Sequence, residues 1–195
     1  MEQPALRSAT YADVLAAPRD QVAELIGGGL YLQPRPAMPH GRVSSVLGML
    51  LGPPFHLGRG GPGGWEIHDA PELHPGEEVL VPDLAGWRLA DHPKLDLTAA
   101  HTSSAPNWVC EVLSPSTRGR DRVLKLPVYA RAGVEVCWLV DPGQRTLEVC
   151  VLERGRWVLT ESHHGAAEVA PPPFEAAPFS LESLWVPGAS DEDPI

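Results

Sequence analysis

Two acids interrupt apolar runs at places where a strand would ordinarily carry another hydrophobe. Glu111 sits between Cys110 and Val112 in NWVCEVL, and Asp83 breaks the run EVLVPDLAGWRL at residues 78–89. An ionised carboxylate among hydrophobes needs a cation, a charged partner or a raised pKa. Two such acids on neighbouring strands can converge on one hard cation through oxygen ligands, as magnesium requires. The structural alternatives are a turn or bulge acid at Asp83 and a salt bridge from Glu111 to an arginine such as Arg122. Downstream, Asp121, Lys125 and Tyr129 are spaced i, i+4, i+8 and share one stripe of a helix predicted for residues 118–131. If that stripe faces the acids, Lys125 can orient a water and Tyr129 can hydrogen-bond nearby. If it faces solvent, Lys125 and Asp121 form an exposed pair worth about 0.2–0.5 kcal/mol. The other lysine, Lys94, lies in a polar stretch with no apolar wall.

These residues belong to an ordered series: ELIGGGLY at 24–31, His40, VPD at 81–83, CEVLSPST at 110–117, GRDRVLKLPVYARAGV at 119–134 and CWLVDP at 137–142. Over residues 11–185 the series resembles the Uma-type (restriction) endonuclease family, a branch of the PD-(D/E)xK nuclease superfamily. The resemblance implies an α/β (α+β) fold, a restriction-endonuclease-like mixed β-sheet flanked by helices with additional antiparallel hairpins. It implies a metal-dependent DNA endonuclease using Mg²⁺, with Mn²⁺ as a substitute, and a homodimer that can cut two strands. Asp83, Glu111 and the backbone carbonyl of Val112 would be the metal ligands. The superfamily carries its lysine two residues after the glutamate, where this chain has Leu113, and by resemblance Lys125 replaces it from the following helix. Glu24 occupies the first acidic position, which can approach the same metal; the other reading is an exposed strand carboxylate. His40, Asp121 and Tyr129 are accessory candidates, His40 alternatively an ordinary capping or hydrogen-bonding histidine. The family commonly has Asp-Gly-Glu where this chain has Gly27-Gly28-Gly29, so the turn itself loses its acids. The Leu113 and triple-glycine departures, with the net acidity, keep open a binding module of the same fold without turnover, and the acidic surface keeps open a metal-dependent hydrolase of small phosphoesters.

The 195 residues, 43% of them hydrophobic, suit one domain at residues 10–186 between a loose N-terminus at 1–9 and an acidic tail at 187–195. With no signal-like h-region and no apolar run of spanning length, the expectation is a cytoplasmic protein without a membrane segment. Cys110, Cys137 and Cys150 each lie in an apolar run and read as reduced core residues. A net charge of −10 argues against indiscriminate nucleic-acid binding. Residues 111–131 oppose that balance: Arg118, Arg120, Arg122, Lys125 and Arg131 face only Glu111 and Asp121, as if to receive a polyanion. No HExxH, GxSxG or phosphate-loop motif occurs, and His163-His164 on a strand would point to opposite faces.

The positioning elements follow from periodicity. Thr10 caps a short helix, and strands at 21–26 and 30–33 flank the glycine turn. Residues 40–51 carry Val43, Val46, Leu47, Leu50 and Leu51 on one helical face, and the glycine-rich residues 52–64 read as a mobile loop. Strands are predicted at 65–68, 78–89 and 107–113, then the helix, with Val123, Leu124 and Val128 buried and a kink at Pro127. A meander at 135–140, 146–152 and 156–161 follows. Phe174, Phe179, Leu181, Leu184 and Trp185 anchor a proline-rich end.

Overall fold

The computed structural model describes residues 8–34 and 36–188; the expectations for residues 1–7 and for the acidic tail at Asp191-Glu192-Asp193 lie outside them. Helix α1 (Tyr11–Leu15) is capped by Thr10 in a capping box with Asp13. Strands β1 (Gln21–Ile26) and β2 (Gly29–Pro34) pair in register Ile26↔Gly29, which leaves a two-residue loop. Gly27 and Gly28 take φ of 58° and 76°, the left-handed values that a primed hairpin turn demands. Helix α2 (Met38–Leu51) starts two residues earlier than predicted, with a proline in its first turn.

Strands β3 (Trp65–Asp69), β4 (Leu84–Arg88), β5 (Trp108–Val112), β6 (Val136–Asp141), β7 (Thr146–Glu153) and β8 (Arg156–His164) form one mixed sheet in chain order. Only β5 and β6 are parallel. A parallel pair needs a crossover, supplied here by a helical segment of α3 (Arg118–Arg120), a π turn at Asp121–Lys125 and α4 (Leu126–Ala132), which closes on Gly133. The short pair β9 (Glu168–Val169) and β10 (Phe179–Ser180) ties the C-terminal stretch down.

Every residue of β5 and β6 is buried, as expected of strands covered on both faces. Alternation sorts them. Trp108, Cys110 and Val112 join Val43, Leu47 and Leu51 of α2, whereas Val109 and Leu113 join Val128 and Tyr129 of α4. Glu111 shares the parity of Val109 and Leu113 and so points to the crossover helix. Phe174 is fully buried and its ring meets Phe55, Trp65, Trp108 and Trp138 at 4.7–5.7 Å, so the proline-rich end is part of the core. No helix among the described residues is long and apolar enough to cross a membrane.

Three expectations are corrected. Residues 52–64 are not simply a loop: a π turn at Gly52–His56 extends α2 and buries Phe55. The run at 78–89 is not one strand. Pro82 cannot donate to a ladder, Val79 and Leu80 make only isolated bridges to Leu25 and Leu73, and β4 begins after Asp83. Val123 is 68% exposed rather than buried. Pro127 lacks the amide that would bond to the Val123 carbonyl, and the π turn ahead of it shifts the buried face away from Val123. Phe174→Ala should lower the unfolding free energy by about 3–5 kcal/mol in urea titration, the range for emptying an aromatic core site.

Candidate active site

A cleft of about 630 Å³ opens between the β1–β2 hairpin, the first turns of α2 and the C-terminal ends of β3 and β5. Asp69, Asp83, Glu111, Val112, Asp121, Lys125 and His40 line it. At its floor the Lys125 ammonium, 1% exposed, donates to both oxygens of Glu111 at 3.1 and 3.0 Å. It also lies 2.9 Å from Glu24 Oε1 and 3.6 Å from Asp121 Oδ1. Tyr129 donates its hydroxyl to Glu111 Oε1 at 2.5 Å. The stripe Asp121–Lys125–Tyr129 therefore faces the sheet, and the exposed-pair reading of Lys125 is excluded. Glu111 does not pair with Arg122, which binds Glu148 at 2.6 Å. Glu24 is fully buried, not an exposed strand carboxylate.

The cluster holds more carboxylates than one ammonium neutralises. Burial pushes the Glu111 carboxyl well above the usual range; Lys125 opposes this, while Asp121, Asp83 and Glu24 add to it. Burial also raises Asp121, against the pull of Lys125 and of the Thr117 hydroxyl. For Lys125 burial acts downward, but Glu111, Glu24 and Asp121 outweigh it and hold the ammonium above its ordinary value. Burial and the neighbouring Glu111 charge raise Tyr129, which stays a hydroxyl donor.

On the open side, Asp83 Oδ2 accepts the Val112 amide at 2.7 Å and Oδ1 lies 3.3 Å from His40 Nε2. A hard divalent cation suits this donor set. Glu111 Oε2, which accepts from Lys125, and Asp83 Oδ1, beside His40, each carry more than one lone pair. The Val112 amide faces Asp83, and strand geometry turns the carbonyl of the same residue to that edge. Among the described residues no three Asp, Glu, His or Cys side chains are grouped so as to hold a metal by themselves. The protein would thus contribute two carboxylates and leave other positions to backbone, water or substrate, which magnesium tolerates.

Two features were not read from the sequence. Asp69 ends β3 opposite Leu84, lines the cleft, and has a carboxyl raised by burial and by the charge of Asp83. Its strand, WEIHD, alternates apolar and polar residues, so no isolated acid within an apolar run marks it in the sequence. The basic window is also less basic than its composition suggests. Arg118 binds Asp141 at 2.7 Å, Arg122 binds Glu148, Arg131 approaches Glu78 at 3.6 Å, and Arg120 reaches Gln33 and Glu24. The three cysteines are buried and free.

Because the folded pKa of Lys125 is raised, its contribution is complete below the ordinary value of 10.5 and is lost only as pH rises beyond it. Lys125→Met should therefore cost about 3–5 kcal/mol in urea unfolding, and the gap to wild type should stay constant from pH 7 to about 10. A gap that closes between pH 7 and 9 would show a depressed ammonium instead.

Residues 9–182 match the family model of Uma2, described as "putative restriction endonuclease". Among solved structures, a crystal structure of a "putative nuclease belonging to DUF820" from Anabaena variabilis is 22% identical, with a TM-score of 0.70 over 90% of this chain and 97% of that one. That likeness shows the restriction-endonuclease-like mixed sheet as the shared fold. No curated protein matches the chain significantly. With the matched segment spanning every element from α1 to β10, the chain belongs to the Uma2 family, described as putative restriction endonucleases.

Proposed function

We propose that this chain is a metal-dependent DNA endonuclease that hydrolyses phosphodiester bonds with Asp83, Glu111 and Lys125. The observation that carries this reading is the Lys125 ammonium set against both oxygens of Glu111 at the floor of a cleft that also exposes Asp83. Bound Mg²⁺ or Mn²⁺ would supply the Lewis acidity that polarises the phosphate and acidifies a water. Asp83, oriented by the Val112 amide, and Glu111, oriented by Tyr129 and Lys125, would hold it, with the Val112 carbonyl as a third oxygen. Lys125 stays protonated, so its work is to donate hydrogen bonds and offset charge developing on the phosphate, not to accept a proton. His40 beside Asp83 orients that carboxylate, and Asp121 shares the Lys125 charge. A homodimer would present two such clefts to the two strands of DNA.

The net charge of −10 and the acid-paired arginines favour one competitor, a hydrolase of small phosphoesters on the same site. Plasmid DNA and a chromogenic phosphodiester, each with Mg²⁺, Mn²⁺ or EDTA, separate the readings. Nicking should require metal and fall on the order of 100-fold or more in both Asp83→Ala and Lys125→Ala. Turnover of the small ester alone supports the competitor. Metal binding with neither activity supports a module that has lost turnover, and nicking that survives EDTA contradicts the metal site altogether.

A further inference from the structure

The β1–β2 hairpin stands outside the main sheet, yet one of its side chains reaches the centre of the site. Glu24 is fully buried and does not line the cleft. Its Oε1 accepts the Val81 amide at 2.9 Å and lies 2.9 Å from Lys125 Nζ, while the Val81 carbonyl lies 3.5 Å from the same ammonium. Glu24 and Val81 thus form a two-point clamp on Lys125, two residues ahead of Asp83. The remaining oxygen, Oε2, has no hydrogen-bond partner and lies 3.9 Å from Arg120 Nε. Arg120 in turn bonds to Gln33 on β2, so the hairpin grips the crossover segment from both of its strands.

We propose that Glu24 is a positioning residue: it fixes the Lys125 ammonium and takes a share of its charge, and it does not ligate the metal. The proposal rests on the metal-site reading above. An ammonium has three donors, and here the carboxylates of Glu24, Glu111 and Asp121 all lie close enough to compete for them. With Glu24 ionised, the ammonium is held between Glu24 and Glu111, and Glu111 Oε2 keeps acceptor capacity for a cation. Without that charge the ammonium settles wholly on Glu111, where it opposes the same cation.

Mn²⁺ binding by calorimetry and thermal unfolding of Glu24→Gln, Lys125→Met and the double variant test this. Glu24→Gln should weaken Mn²⁺ binding about tenfold, the effect of disturbing a group that orients a ligand. Lys125→Met, which strands buried carboxylates, should lower Tm by roughly 10 °C. The double variant removes a charge of each sign. It should regain part of that Tm, Glu111 and Asp121 still lacking the ammonium, and bind Mn²⁺ within about threefold of wild type while nicking stays lost. Binding in the double variant as weak as in Glu24→Gln would make Glu24 a ligand, and a Tm no higher than that of Lys125→Met would show no coupling; either overturns the proposal alone. Wild-type protein that neither binds Mn²⁺ nor nicks DNA overturns the metal-site reading and this proposal with it.

Discussion

A single ammonium enclosed by carboxylates organises this molecule. Lys125 is almost completely buried, and so are Glu24, Glu111 and Asp121 around it. Ions in such a place are stable only together, since stranding one partner of a buried pair costs about 3–5 kcal/mol against a total stability of about 5–15 kcal/mol. Each supporting element therefore answers to that cluster. The parity of β5 turns Glu111 away from the tryptophan core, the crossover segment brings Lys125 and Tyr129 to the same face, and the hairpin contributes Glu24.

The two sides of the cleft differ in kind. One side is an ionic cluster in which nearly every donor is engaged, and the other presents Asp83, Asp69 and His40 to an open space. Approach of a polyanion is a separate matter. Arg118, Arg122 and Arg131 are each at least 40% exposed and paired with acids. Their acid partners are less exposed, Asp141 at 8%, Glu78 at 19% and Glu148 at 25%, so a phosphate drawn to these arginines would compete with carboxylates that the fold holds in place.

Much of this was legible in the chain because apolar periodicity and isolated acids report burial directly. Glu111 interrupts a strand whose neighbours are all buried, and Lys125 lies four residues after Asp121 and four before Tyr129, so one strand and one helix face sufficed to bring them together. The failures have common physical causes. Val123 leaves the buried face because a π turn alters helical phase, and Pro127 is the local sign of it. The run around Asp83 reads as one strand because its hydrophobes continue through a proline that cannot join the ladder. The arginines looked unopposed because Asp141, Glu148 and Glu78 approach them from distant parts of the chain, and the burial of Glu24 depends on contacts with Val81 and Lys125 that no local pattern encodes.

The most direct check is anomalous diffraction from crystals soaked in Mn²⁺. A manganese peak in contact with the Asp83 and Glu111 carboxylates, with the Lys125 ammonium still against Glu24, is the expected result. A peak elsewhere, or an Asp83 and Glu111 pair that binds no manganese while DNA is still cut, would contradict it.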